Sequence, residues 1–152
     1  FAIGRFELVP NRFQSLELFT EKYVCMMNGD HVLKKEKKLS IKQYLSSKHL
    51  RVAPTGSPVA PIDRSLGQLN LEREIFARID SMTMAPLILK NSFLLLTLPS
   101  KTAQRIANNY NFVIAELPIE LEKRQTKLVW HAELSNHPSF DWVKKQIRID
   151  IS

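Results

Sequence analysis

The sequence predicts an α/β fold, because short apolar runs with the length of strands alternate with segments of helical periodicity. The alternation is clearest over residues 93–142, where Pro99 ends one run and Ser100 stands at the expected N-cap of a helix. This order is typical of a mostly parallel sheet with helices on its faces, which binds small molecules at the carboxyl ends of its strands. The strand-like runs of this segment are Phe93–Leu98, Phe112–Leu117 and Lys127–Glu133.

The same alternation is predicted upstream. We expect three short helices: one capped by Ser40, one from about Ile62 to Leu69, and one over Met82–Lys90 that Asp80 or Ser81 caps. The predicted strands are Phe1–Gly4, most of Leu16–Met27, His49–Val52 and Glu74–Ile79.

Two patterns predict which side chains share a face. In the strand at 74–79, Ile75, Ala77 and Ile79 alternate with polar or exposed positions, which predicts a single buried face. The last helix is expected to open at Asn136 or Ser139 and to bury one apolar face. The large side chains assigned to that face are Phe140, Trp142, Val143 and Ile147.

Composition and cysteine content restrict the class of protein. The 152 residues are 44% hydrophobic and 24% charged, which is typical of a globular domain or of two small lobes. No apolar run approaches the roughly 20 residues that a membrane-spanning helix needs. The single cysteine, Cys25, cannot form an internal disulfide, so we expect a reducing cytoplasmic location and a buried, unreactive thiol.

The net charge of +7 permits binding to nucleic acid without demonstrating it. The densest basic cluster is Lys34–Lys38. Because no aromatic side chains are interleaved with these lysines, a solvated loop is favoured over a DNA-binding surface.

The sequence contains no motif that makes a positive case for catalysis. A nucleophile elbow, a P-loop, a dinucleotide fingerprint, a paired-cysteine motif and HExxH are all missing. His137 and Asp141 are four residues apart and could share a helix face, but a third well-placed ligand is not evident. Packing is therefore favoured for His131, and helix capping for His137, over a metal site. Asp63 and Arg64 are interpreted as a charge pair at a helix start. We predict no catalytic residue, no metal and no cofactor.

Several blocks of sequence, in order and at matching spacing, resemble the effector-binding region of LysR-type transcriptional regulators. The resemblance covers nearly the whole chain, with Val32 standing where the family has a proline. The blocks are FAIGRF at 1–6, LFTEKYVC at 18–25, GDHVL at 29–33, LSSKHLRV at 45–52, DRSL at 63–66, TLPSKTA at 97–103, and WH at 130–131 followed by HPSFDWV at 137–143.

The resemblance implies a fold like that of a type II periplasmic binding protein, with two α/β lobes joined by two crossovers. Residues 1–25 and 118–152 would form a partial first lobe, and residues 26–117 the second lobe. The first lobe is expected to be incomplete, and the family's helix-turn-helix DNA-binding domain is expected to lie outside this chain.

In the family a small-molecule effector binds between the lobes, and the resemblance implies three groups of contact residues here. Backbone N–H groups and hydroxyls at these positions suit a carboxylate. The alternative is that Ser81 is only a helix cap, residues 55–56 only a turn, and Arg5 only a surface arginine. The implied contacts are Gly4, Arg5 and Phe6; Thr55, Gly56 and Ser57; and Ser81, Met82 and Thr83.

The first functional hypothesis is therefore the effector-sensing and oligomerisation domain of a bacterial LysR-type regulator. It would bind a carboxylate or aromatic acid, form a homodimer or higher homo-oligomer, and reach DNA only through the separate helix-turn-helix domain, without membrane contact. One alternative is a periplasmic-type solute-binding protein. Another is an α/β enzyme whose catalytic residues precede this chain.

Overall fold

The computed structural model describes residues 1–6, 8–53 and 59–151, with side chains as far as residue 147. The chain divides into two compact units: the first comprises residues 1–21 and 123–152, and the second comprises Lys22–Glu122. The chain therefore passes from one unit to the other twice, after Glu21 and after Glu122.

The second unit is built on a five-stranded mixed sheet. Its strands are β3 (Tyr23–Asn28), β4 (Lys48–Val52), β5 (Glu74–Ile79), β6 (Leu95–Pro99) and β7 (Phe112–Glu116), in the order β5-β4-β6-β3-β7. β4 pairs in parallel with β5 and β6, whereas β3 pairs antiparallel with β6 and β7. The sheet is thus less parallel than the sequence predicts, because β3 inserts in the opposite direction between β6 and β7.

Four helices cover the two faces of this sheet: α1 (Ile41–Ser46), α2 (Pro61–Gln68), α3 (Ala85–Lys90) and α4 (Ser100–Ala107). Strand β3, which lies between β6 and β7, is buried on both faces, since Cys25 and Met27 pack on one side and Val24 and Met26 on the other. The first side is completed by α1 and α2 through Tyr44, Ile62 and Leu66. The other side is completed by α3 and α4 through Ala85, Leu89 and Ala103.

The helix starts differ in how well the sequence predicts them. Ser40 caps α1 as expected, and it also forms a reciprocal capping box with Gln43 that was not predicted. Ser100 is not an N-cap: Pro99 is the last extended residue, and the helix already begins at Ser100. The Ser100 N–H instead donates to the Lys22 carbonyl oxygen at 2.9 Å. A segment expected as one helix over 82–90 is a 3₁₀ turn, Met82–Met84, followed by α3.

The register between β4 and β5 contains an irregularity that changes which side chains share a face. His49 pairs with Ile75, but the next residue of β4, Leu50, pairs with Ala77. The residue skipped on β5 acts as a bulge, which rotates the following side chains. Residues 75, 77 and 79 are the half-buried positions of β5, as the alternation predicts, but they do not share one face: Ala77 packs on the α3 side, whereas Ile75 lies on the α2 side.

The first unit has a three-stranded sheet and one long helix. Its strands are β1 (Ala2–Gly4), β2 (Phe13–Glu21) and β8 (Arg124–His131), in the order β1-β8-β2, and both outer strands pair antiparallel with β8. The extended stretch predicted over residues 16–27 is two strands in different units, with a break at Lys22. A 3₁₀ turn, Ala132–Asn136, precedes α5 (Pro138–Ile151).

The core of the first unit is small. Leu128, Trp130 and Phe140 are buried together, and Val143 and Ile147 of α5 pack against them. Trp142 does not join this face, contrary to the prediction, and is 64% exposed. The reason is helical geometry, because a residue two positions from Phe140 lies on the opposite side of the helix.

Within the part of the chain that the structure describes, every helix is too short or too polar to cross a bilayer.

Candidate functional site

The carboxyl ends of β4 and β5 lie side by side at one edge of the sheet, and the predicted contact segment Ser81–Thr83 follows β5 there. Val52 pairs with Ile79, and the Ala53 N–H donates to the Ile79 carbonyl oxygen at 2.8 Å. Ser81 follows two residues after Ile79. This edge is where parallel sheets commonly bind ligands. The predicted contacts Thr55, Gly56 and Ser57 follow β4 and lie outside the described residues.

Ser81 and Thr83 form a small hydroxyl pair at this edge. Their Oγ and Oγ1 atoms are 2.7 Å apart, and Ser81 Oγ also accepts from the Thr83 N–H at 3.3 Å. The Met84 N–H is bound to the Ser81 carbonyl oxygen at 3.3 Å. Two N–H groups of this turn are therefore already satisfied. Because one hydroxyl proton is used within the pair, the other remains able to donate to a ligand.

Met82, the third predicted contact at this edge, is half-buried and packs against the apolar layer that includes Leu89 and Leu98. Its backbone position at the turn is fixed by that packing, since a side chain inserted among buried residues restricts the local chain.

The remaining predicted contacts lie in the first unit. Gly4 ends β1 opposite Lys127, and a Cβ at Gly4 would lie 3.6 Å from the Phe6 ring. Phe6 lines an apolar groove of about 420 Å³ together with Phe13 and Trp130. The Arg5 side chain is exposed.

A buried polar network in the second unit was not predicted from the sequence. Its centre is Arg73, whose side chain is only 3% exposed. Arg73 Nε donates to Asp63 Oδ1 at 2.6 Å, and Nη1 donates to the Tyr44 hydroxyl at 3.0 Å. The Tyr44 hydroxyl is 2.6 Å from Thr97 Oγ1. The network thus ties α1, α2 and β6 together through one guanidinium group.

His49 belongs to the same network in its neutral form. Its Nε2 lies 2.8 Å from the Tyr44 carbonyl oxygen, so this nitrogen carries the proton, and Nδ1 is free to accept from Arg73 Nη1 at 3.4 Å. The pKa of His49 is lowered to about 4, mainly by burial and also by the Arg73 charge, against the opposing effects of the Tyr44 carbonyl and the Asp63 carboxylate. Burial also raises the pKa of the Tyr44 hydroxyl to about 12.

Asp63 illustrates why the sequence does not predict the Arg73 network. The sequence suggests a pair with the adjacent Arg64, but Asp63 is bound to Arg73, ten residues away, and lies 3.9 Å from Arg51 Nε. Arg64 is exposed on the outer face of α2. Asp63 lies on α2, Arg51 on β4 and Arg73 just before β5, so only the tertiary fold brings these charges together and no local sequence pattern encodes the contacts.

The other candidate groups have structural roles. No cluster of His, Cys, Asp or Glu able to hold a metal occurs among the described residues. His31 is buried, with Nε2 3.1 Å from the Phe93 carbonyl oxygen, and burial lowers its pKa. Cys25 is buried as expected, which raises the pKa of its thiol to about 12. His131 packs edge-on against Phe13.

The basic cluster is exposed but more ordered than a simple loop. The Glu116 N–H donates to the Lys37 carbonyl oxygen at 2.8 Å, and the Leu39 N–H donates to the Glu116 carbonyl oxygen at 3.0 Å. These bonds hold the segment alongside β7, with the lysine side chains in solvent.

Comparison with known proteins gives one family. Residues 1–150 match the LysR substrate binding domain. The HTH-type transcriptional activator NagR of Ralstonia sp is 24% identical over 144 residues, covering 95% of this chain and 48% of that protein. The HTH-type transcriptional activator NahR of Pseudomonas putida is 23% identical over 150 residues, covering 99% of this chain and 49% of that protein. The chain spans about half the length of these curated relatives.

Solved structures share the fold. The regulatory domain of MexT, a transcriptional activator in Pseudomonas aeruginosa, matches with a TM-score of 0.81 at 16% identity, over 97% of this chain and 72% of that chain. The effector binding domain of QuiR in complex with shikimate matches with a TM-score of 0.74 at 14% identity, over 98% of this chain and 70% of that chain. The family match and these folds together show that the chain belongs to the LysR substrate-binding domain family, with a type II periplasmic-binding-protein-like fold.

Proposed function

We propose that this domain senses a small carboxylate or aromatic acid for a bacterial LysR-type transcriptional regulator. The observation that supports the proposal is the sheet edge where β4 and β5 end together, because the Ser81–Thr83 hydroxyl pair follows β5 there, close to the end of β4 at Ala53. A hydroxyl donor at the carboxyl end of parallel strands suits a carboxylate oxygen. The related QuiR domain was solved with shikimate, which carries a carboxylate.

The candidate contacts form two groups, one in each unit. In the second unit these are Thr55, Gly56, Ser57, Ser81, Met82 and Thr83, and in the first unit Gly4, Arg5 and Phe6. The hydroxyls of the second unit would orient an acid group, and in the first unit Phe6 offers an aromatic ring. Substitutions in the two groups test these roles separately.

The test is a thermal-melt screen of the full-length protein against shikimate, benzoate and salicylate. A ligand at a hundredfold excess over its dissociation constant raises the free energy of unfolding by about 2.7 kcal/mol. We expect Thr83→Val to weaken binding of a responding acid about fivefold to tenfold, the effect of one lost hydrogen bond to a charged group. Thr102→Val, on α4, is the matched control and should bind normally. If none of the acids shifts the melt, the proposed ligand class is wrong.

We also propose that the domain assembles as a homodimer or higher homo-oligomer in the cytoplasm, and that the whole protein binds DNA through a helix-turn-helix domain outside this chain. The relatives are HTH-type regulators, which supports this reading over a periplasmic solute-binding protein or an enzyme. An effector can then act only by binding two assembled arrangements with different affinity. Sedimentation of the full-length protein tests the assembly: a monomer at high concentration would contradict it.

A further inference from the structure

The basic segment, residues 31–42, concentrates positive charge on one part of the second unit. It contains five lysines against one carboxylate, Glu36, which gives a net charge of +4. The whole chain has a net charge of +7, so more than half of it lies in these few residues. All five lysines are exposed: Lys34, Lys35, Lys37, Lys38 and Lys42.

Buried side chains anchor the backbone of the basic segment. His31 is buried, with Nε2 3.1 Å from the Phe93 carbonyl oxygen, and its Nδ1 accepts from the Leu33 N–H at 3.1 Å. Leu39 is buried in the same layer as Tyr44 of α1. These anchors lie before and among the lysines, so the lysines are attached to a backbone that the core holds in place.

Backbone hydrogen bonds fix the residues between the anchors. The Lys34 N–H donates to the His31 carbonyl oxygen, and the Glu36 N–H donates to the Leu33 carbonyl oxygen, both at 3.0 Å. Farther along, the two bonds to Glu116 hold the segment against β7. Because the backbone is already ordered, a partner that binds the lysines does not have to order it, which lowers the entropic cost of binding.

Few carboxylates neutralise this charge. Lys34 Nζ lies 3.8 Å from Asp30 Oδ1 in an exposed pair, which contributes little. The Glu116 carboxylate is bound to Lys22 Nζ at 2.7 Å. Three of the five lysines form no ion pair with any residue in the described part of the chain: Lys35, Lys37 and Lys42.

The lysines are close enough together to contact a single turn of duplex DNA. The eight residues from Lys35 to Lys42 would span no more than about 29 Å even if fully extended. One turn of B-DNA is about 34–36 Å long and carries one phosphate per about 1.7 Å of its axis. Stacking on single-stranded bases requires aromatic side chains, but contact with duplex phosphates requires only positive charge.

We propose that the basic segment binds the phosphate backbone of double-stranded DNA without reading its sequence. The choice of DNA rests on the proposed function, in which this domain belongs to a DNA-binding regulator and therefore works beside a duplex. Contrary to the expectation from the sequence, DNA contact is then not confined to the helix-turn-helix domain outside this chain. The surface is separate from the effector contacts proposed at Ser81–Thr83.

The test is a titration of a fluorescently labelled duplex of arbitrary sequence with the whole chain, followed by anisotropy. Because the proposed helix-turn-helix domain lies outside this chain, any binding comes from this domain. We expect saturable binding that weakens between about 50 and 200 mM salt, with a logarithmic slope of about 0.9 for each phosphate contacted. Absence of saturable binding at the lower salt concentration would overturn the proposal.

The decisive variant removes the three lysines that form no ion pair. We expect it to reduce the salt slope by about 2.7 and to weaken binding at about 50 mM salt by at least tenfold, through the loss of three phosphate contacts. The variant combines Lys35→Gln, Lys37→Gln and Lys42→Gln.

The matched control removes the same charge from three exposed cations elsewhere in the second unit. It should change the affinity less than about threefold, because long-range attraction between exposed charges is screened by salt. Equal weakening by both triple variants would show general charge attraction and contradict a specific surface. The control combines Arg64→Gln, Lys90→Gln and Arg105→Gln.

A competition experiment distinguishes DNA from an acidic protein as the partner. An unlabelled duplex should displace the labelled one, whereas poly-L-glutamate at the same concentration of charge should displace little of it. Equal displacement by poly-L-glutamate would mean that the basic segment accepts any acidic polymer, and the proposal would be wrong. None of these measurements involves an effector, so their failure is distinguishable from failure of the proposed effector binding.

Discussion

The two units bury their sheets differently. The second unit packs helices on both faces of five strands, and the Arg73 network links α1 and α2 in its interior. The first unit covers three strands with one helix and buries only Leu128, Trp130 and Phe140 as its central cluster. Its apolar groove, lined by Phe1, Phe6 and Phe13, remains open among the described residues. Because buried apolar area is the main source of stability, the second unit should be the more stable one.

The largest effect is expected from Arg73→Met in the second unit. The substitution leaves the Asp63 carboxylate without its principal partner, so the free energy of unfolding should fall by about 4 kcal/mol. Denaturation in urea measures it. Arg105→Met, on the exposed face of α4, is the matched control and should change stability by less than about 0.5 kcal/mol. Equal stability of the two variants would show that the network contributes nothing to the free energy of unfolding.

Leu50→Ala and Leu128→Ala compare the two cores directly, since both leucines are fully buried, one in each unit. Leu50→Ala should destabilise the second unit by about 3 kcal/mol, the typical effect of a cavity in a packed core. Hydrogen exchange should then accelerate in β4, β5 and β6 and remain unchanged in β8. Leu128→Ala should show the reverse pattern. If either substitution accelerates exchange equally in both units, the two cores unfold as one.

The protonation of His49 makes the second unit sensitive to acid. Its folded pKa of about 4 lies below the ordinary value of 6.5, so the unfolded chain binds the proton first as the pH falls. Stability is complete above pH 6.5 and is lost between pH 6.5 and about 4, by about 2–3 kcal/mol. His49→Gln should flatten this part of the stability profile. Burial lowers the pKa of His31 as well, so the difference between the two profiles isolates His49. Parallel profiles would contradict the assignment.

The smallest effect is expected from Trp142→Phe in the first unit. Trp142 is exposed, so the free energy of unfolding should change by less than about 0.5 kcal/mol. Quenching by acrylamide distinguishes the two tryptophans: the variant should keep only the protected signal of the buried Trp130. A quenchable fraction that survives the substitution would mean that Trp130 is the accessible ring.

Local signals were enough to predict many elements. The N-cap at Ser40, the strand at 49–52 and the helix from about Ile62 each depend on neighbouring residues, and the structure confirms them. The predictions are wrong where contacts between residues far apart in sequence determine the local structure. The Ser100 N–H is taken by Lys22, which no local pattern reveals. The direction of β3 within its sheet is likewise set by pairing between segments far apart in sequence.

The functional and polar residues of the second unit can also be divided into those that the sequence identifies and those that depend on distant contacts. The resemblance of the sequence to the family selected Ser81 and Thr83, and their hydroxyl pair is a local turn feature. Arg73 could not be selected, because its partners are 10, 24 and 29 residues away along the chain.

The position of Cys25 makes its thiol an intrinsic probe of local unfolding. It is the single cysteine, it is completely buried, and it pairs with neighbours on both sides through Thr97 and Ala115. A thiol whose pKa is raised to about 12 carries almost no reactive thiolate at neutral pH. A thiol-specific reagent can therefore label the protein only when strand β3 of the second unit opens. The labelling rate reads out that opening without any engineered probe.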